Sequence, residues 1–75
     1  MVQKMSVRTP PGDMIAAMGN VSLWSEPYDE NPHATQASEV EKGSLGLIIA
    51  SVGHERLVAF SKVMGWTNAN NLAKV

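Results

Sequence analysis

Residues 65–75 read GWTNANNLAKV and carry the most specific fold signal in the chain. They contain one of the two tryptophans, then an asparagine-rich stretch, then a short apolar ending. Asparagine tolerates left-handed backbone geometry and hydrogen-bonds to its own backbone, so NANN predicts a single 3₁₀ turn. The final LAKV predicts a last short strand. A glycine–tryptophan step, a tight turn and a returning strand are typical of a small β-structure.

The preceding segments predict four more short strands. SLGLIIASV, after Gly43, is rich in β-branched residues and leucine, and RLVAF follows a turn at residues 53–55. MIAAM, at residues 14–18, has helix-forming residues, but Gly19-Asn20 is a permitted hairpin loop into VSLW, which favours two paired strands. Residues 25–41 are predicted to form one long irregular loop. Five short strands separated by turns predict a small closed barrel.

Composition limits what this domain can do. A single domain of 75 residues buries only about 60% of the surface that its unfolded chain exposes. The chain has no cysteine and two histidines, so disulfides and thiolate metal sites are excluded and a structural zinc is not expected. Asp29, Glu30 and His33 lack the full ligand set of a calcium loop. We therefore expect no metal and no cofactor, and either unaided folding or stabilisation by self-association and docking.

Charge is unevenly distributed along the chain. Residues 1–12 carry two bases and no acid, residues 13–41 carry six acids and no base, and residues 42–75 carry four bases and one acid. This arrangement allows either head-to-tail attraction between copies or an ordinary solvated surface. A pI near 6.0 and the acidic loop oppose nucleic-acid binding, and no apolar run approaches membrane-spanning length. No secretory signal is visible, so a cytoplasmic or virion location is expected.

Four segments together resemble an SH3-like barrel of the bacterial and phage kind. They are VSLWSEP entering the acidic loop, EKGSLGLIIAS, RLVAF and GWTNANNLAKV, in that order. The resemblance implies an all-β, five-stranded barrel at residues 13–75 with a long RT-type loop and a 3₁₀ turn near the C-terminus. Residues 1–12 would form an extended arm, and Trp66 would cover one end of the barrel.

The aromatic platforms that accept proline-rich peptides in this family are only partly present. Trp24 and Tyr28 match the first platform, but His54 to Arg56 replace the second and Asn71 the third. Polyproline recognition is therefore not expected. Trp24 is either a binding anchor or a residue that covers the core.

The two predicted strands of residues 44–52 and 56–60 are apolar on both faces, although a barrel has only one interior. We predict that the face with Ile48, Ala50, Val58 or Phe60 is covered by the arm or by another chain. Ordinary scattered surface apolar residues are the alternative. The candidate partner-binding residues are Trp24, Tyr28, Asp29, Glu30, Ile48, Val58 and Phe60.

No arrangement of catalytic groups stands out from ordinary surface residues, so the sequence predicts a protein that is not an enzyme. The first hypothesis is a structural protein–protein interaction module, such as a minor phage virion component or assembly factor, able to form a homo-oligomer through its arm. The second is a nucleic-acid-binding barrel of the KOW type. The third is a domain that binds peptides or cell-wall glycan.

Overall fold

The computed structural model describes residues 12–27 and 34–75. Most of the predicted arm lies outside these residues, as do Tyr28, Asp29, Glu30 and His33. The all-β class is confirmed. The strands are β1 (Met14–Ala17), β2 (Val21–Trp24), β3 (Gln36–Val40), β4 (Leu45–Val52), β5 (Glu55–Phe60), β6 (Met64–Asn68) and β7 (Leu72–Lys74), with the 3₁₀ helix η1 (Ala69–Asn71) before β7.

The described strands form one antiparallel sheet in the order β3-β2-β6-β5-β4-β1-β7. Within residues 12–27 and 34–75 the number of strands is therefore seven rather than five, and no hydrogen-bonded ladder among them closes the sheet. The extra strands are β3, within the predicted loop, and β6, which contains Trp66. β3 escaped prediction because it lies at an edge, where only Val40 is buried.

The predicted hairpin between β1 and β2 is wrong. β1 pairs with β4 and β7, whereas β2 pairs with β3 and β6. Residues 18–20 form a bend that carries the chain from one part of the sheet to another. Gly19-Asn20 would permit a hairpin, but long-range pairing prevents it, because both flanking strands bury alternate residues against distant partners.

The inner face of the sheet holds two apolar clusters that meet at Phe60. One contains residues from β1, β4, β5 and β7, and the other contains residues from β1, β2 and β3. Ala17 on β1 belongs to the same cluster as Leu23 on β2, although three strands separate β1 from β2 in the sheet. The sheet must therefore curl so that its distant strands share one interior.

The β4–β5 hairpin contains a bulge at Ile49. Ile48 lies opposite Val58 and Ala50 lies opposite Leu57, which leaves Ile49 without a partner of its own in the ladder. A bulge of this kind bends the strand and increases its twist. The long β4 strand can therefore follow the curl of the sheet.

The C-terminal turn forms as the sequence predicts. Asn68 caps η1 by accepting a hydrogen bond from the Asn70 backbone N–H at 2.8 Å. The Ala69 N–H donates to the His54 carbonyl at 2.8 Å, which ties the turn to the β4–β5 loop. β7 then returns beside β1.

Candidate interaction surface

The outer face of the sheet is apolar across five neighbouring strands. Along one line across the sheet, Met14, Leu47, Ala59 and Met64 occupy paired positions on β1, β4, β5 and β6. A second line joins Ala50, Leu57, Trp66 and Trp24. None of these eight residues is charged. We call this surface, with Leu45 and Ile49, the outer face.

The most exposed side chains of the outer face are large. Leu45 is 55% exposed, Leu47 43%, Ile49 47%, Met14 48% and Met64 56%. Loose packing does not explain this exposure. The total accessible surface of 4560 Å² is close to the ~4,500 Å² expected for a compact 8.1 kDa monomer. The apolar surface is therefore a feature of a well-packed domain.

The predicted apolar surface on β4 and β5 is present, but on the opposite face from the predicted one. Ile48 and Val58 are fully buried in the core cluster with Ile15 and Leu72, so their side chains are not available to a partner. Phe60 is half-buried and contacts both core clusters. Leu45, Leu47 and Ile49, which alternate with the core residues, form the exposed surface instead.

Trp24 and Trp66 are directly opposite each other on neighbouring strands β2 and β6. Both are half-buried, and both alternate with buried residues, which places them on the outer face. Trp66 therefore lies in the sheet beside Trp24 and does not cover the end of a closed barrel. Opposed aromatic residues on one face of a sheet are close enough to interact. Sequence periodicity identified Trp24 as a candidate but missed its neighbour.

A groove opens at the end of the sheet where β4 begins and β5 ends. Its volume is about 540 Å³, and a second cavity of about 360 Å³ adjoins it through shared residues Leu45, Phe60 and Ser61. The apolar lining includes Val40 and Val63. The polar lining includes Glu39, Glu41 and Lys62. We call this the β4-entry groove.

The opposite end of the β4–β5 hairpin holds a buried polar cluster. Arg56 is 2% exposed, and its Nη1 donates to the Gly53 and Glu55 carbonyls at 2.8 and 2.9 Å. Burial lowers the pKa of Arg56, and the Glu55 carboxylate acts in the opposite direction. Asn71 Nδ2 donates to buried Thr67 Oγ1 at 2.9 Å. Arg56 Nε has no hydrogen-bond partner among the described residues, but the other hydrogen bonds of these groups all form within the domain, which indicates a structural role.

The described residues offer little to other kinds of site. Among residues 12–27 and 34–75, histidine and acidic side chains nowhere gather in a group of three that could bind a metal ion. The same part of the chain contains no helix long and apolar enough to cross a bilayer. The outer face and the β4-entry groove are therefore the candidate interaction surfaces of the described residues.

Comparison with known proteins does not place the chain in a family. No protein-family model matches it, and neither the curated proteins nor the solved structures give a significant match.

Proposed function

We propose that this protein is a non-catalytic interaction module with an SH3-like arrangement, which binds other proteins through its outer face. The observation that carries the proposal is the uncharged apolar surface continuing across β1, β4, β5, β6 and β2. The largest contiguous apolar patch of a monomer is often functional, even at the few hundred Å² that is ordinary for monomers. The SH3-like arrangement is supported by the long β4 strand, the β5–β6 pair and the 3₁₀ turn before β7.

The size of the outer face indicates what kind of contact it can make. Five strands spaced ~4.8 Å apart, and four residues along β4 at ~3.4 Å each, cover roughly 19 by 14 Å, or about 270 Å². One partner in a standard interface contributes ~800 Å². At ~25 cal/mol per Å², the face supplies about 7 kcal/mol before the cost of association, which is itself ~4–15 kcal/mol.

A contact of that size is weak by itself and becomes useful when repeated. Modules held in many copies within an assembly gain affinity because later contacts are intramolecular. This fits the proposed setting of a structural or assembly protein, for which a phage virion is the specific candidate. The absence of basic residues among the eight paired positions disfavours nucleic acid as the ligand of this face.

The test is self-association of the purified chain, measured by light scattering over a wide concentration range. Leu47→Lys places a charge at the centre of the outer face, where the side chain is exposed, so the fold should tolerate it. We expect concentration-dependent association of the parent and loss of association in the variant, with an unchanged unfolding midpoint.

Ser51→Lys is the matched control, because Ser51 is exposed on the same strand outside the outer face. It should associate like the parent. A parent that stays monomeric at millimolar concentration, or equal association of all three proteins, would contradict self-association through this face.

A further inference from the structure

Two methionines lie at opposite ends of one line across the outer face. Met14 on β1 is opposite Leu47, and Met64 on β6 is opposite Ala59, so the two side chains bracket a row of paired positions on four strands. We propose that these two thioethers are oxidation sites through which a peroxide weakens binding at the outer face. This control rests on the proposed function, because it acts on the same surface.

Both side chains are open to a small oxidant. Met14 is 48% exposed and Met64 is 56% exposed, so neither is a core residue. Exposure governs how readily sulfur groups of proteins oxidise, because the oxidant must reach the sulfur atom. Oxidation of these two residues therefore requires no opening of the fold.

The reaction is the transfer of one oxygen atom. The sulfur lone pair attacks one oxygen of hydrogen peroxide, the O–O bond breaks as the S–O bond forms, and the second oxygen leaves as water. Sulfur loses two electrons, which the peroxide gains. The product is methionine sulfoxide, in which a flexible apolar side chain has become polar. Methionine sulfoxide reductases reverse the change, so it can act as a switch.

The surroundings of both residues make this change costly for binding. The row from Met14 through Leu47 and Ala59 to Met64 contains no side chain that could donate a hydrogen bond to a sulfoxide oxygen. Water supplies that donor in the free protein, but a partner that covers the face removes the water. Each sulfoxide buried without a donor should weaken binding about tenfold.

The two sites are close enough to affect a single contact. Three strand spacings of ~4.8 Å separate β1 from β6, so Met14 and Met64 lie roughly 14 Å apart along the sheet. One side of a standard interface covers ~800 Å², which is roughly 28 Å across. A partner that covers Leu47 and Ala59 therefore contacts both methionines.

Met18 provides an internal reference. It is 57% exposed, so a peroxide reaches it as easily as Met14 or Met64. It lies in the bend after β1, outside the outer face. Its oxidation should change the mass of the protein and leave binding unaffected. Position on the outer face, and not exposure alone, then determines the effect of a sulfoxide.

The test treats the full chain with dilute hydrogen peroxide and measures sulfoxide at each of the five methionines by peptide mass spectrometry. Binding is followed by concentration-dependent light scattering and by retention on a phenyl-agarose column. The column presents an apolar surface and does not require the protein to self-associate. Met14→Leu combined with Met64→Leu nearly keeps the side-chain volume and removes both sulfurs, and Met18→Leu is the matched control.

We expect oxidation to shorten the retention of the parent and of the Met18→Leu protein, and to weaken their self-association at least ~10-fold. The double variant should be retained and should associate equally before and after treatment. Methionine sulfoxide reductase should restore the oxidised parent. The unfolding midpoint should not change, because both side chains are exposed.

Four results would overturn the proposal: no sulfoxide at Met14 and Met64, unchanged retention of the oxidised parent, an equal loss in the double variant, or a loss accompanied by a lower unfolding midpoint. Failure of the proposed function looks different. In that case the Leu47→Lys protein would be retained on the column like the parent before any oxidation.

Discussion

The two ends of the β4–β5 hairpin differ in which side chains they bury and which they expose to solvent. At the loop end, Arg56 and Thr67 are buried, and hydrogen bonds hold Arg56 Nη1 and Thr67 Oγ1, whereas Arg56 Nε has no hydrogen-bond partner among the described residues. At the β4-entry end, Leu45 is more than half exposed, and Phe60 lines an open groove. The first end buries polar groups and hydrogen-bonds most of them within the domain, whereas the second exposes apolar side chains to a binding partner. In this domain, buried polar groups therefore have a structural role, and exposed apolar groups form the candidate binding site.

The largest effect should come from Arg56→Ala at the loop end. The substitution empties a fully buried volume and leaves two carbonyls without their donor, so we expect a loss of ~3–5 kcal/mol in the free energy of unfolding, measured with urea. A guanidinium stays protonated in proteins. The loss should therefore be the same at neutral and mildly alkaline pH.

Lys62→Ala is the control at the β4-entry end, because Lys62 is exposed. Its effect should stay within about 0.5 kcal/mol. If both substitutions cost the same, the contrast between the two ends does not hold.

An intermediate effect is expected for Gly46→Ala beneath the β4-entry groove. A Cβ at this position would lie 2.8 Å from Val58 Cγ1 and 3.0 Å from Phe60 Cδ1. Overpacking of this kind costs ~1–3 kcal/mol, and the Phe60 ring signals should shift in the NMR spectrum.

Gly19→Ala is the matched control, since a Cβ at Gly19 meets nothing within 4 Å. This change should be neutral or stabilising by up to ~1 kcal/mol, because it restricts the unfolded chain. A Gly46→Ala protein as stable as the parent would show that Phe60 and its neighbours in the groove floor can move aside at little energetic cost.

The smallest effect should follow loss of an exposed charge. Lys74 Nζ lies 3.3 Å from Asp13 Oδ2, with the lysine side chain 63% exposed. Lys74→Met should cost ~0.2–1 kcal/mol at low ionic strength, and less as salt is added. Thermal unfolding at two salt concentrations measures this. A larger loss that salt does not reduce would mean that the pair behaves like the buried Arg56.

Much of the fold was predictable from local pattern, and the failures have identifiable causes. Apolar runs and turn residues predicted β1, β2, β4, β5 and β7, together with the 3₁₀ turn. β6 was missed because its sequence, MGWTN, contains glycine and asparagine. Gly65 is nevertheless required there, since a Cβ would lie 2.6 Å from Leu23 Cβ. β6 forms a strand because it pairs with β2, and this long-range pairing leaves no signal in the local sequence.

The candidate surface was predictable in kind but not in position. Alternation showed that β4 and β5 have two apolar faces, which is one more than a single interior requires. Arg56 shares the inward face with Val58, and arginine is rarely buried. Its Nη1 donates to carbonyls only one and three residues away, in a turn geometry that the residue types do not specify. Alternation alone therefore does not indicate which face is internal.

The bulge at Ile49 has a consequence for the alignment of β4 on β5. A strand that is apolar on both sides can slide by one or two residues and still bury hydrophobic groups, so its amphipathic pattern does not fix its alignment. The unpaired Ile49, together with the tight fit at Gly46, permits one alignment and penalises the others. We therefore expect these two positions, more than the leucines and isoleucines around them, to prevent slipped and aggregation-prone pairings as the hairpin forms.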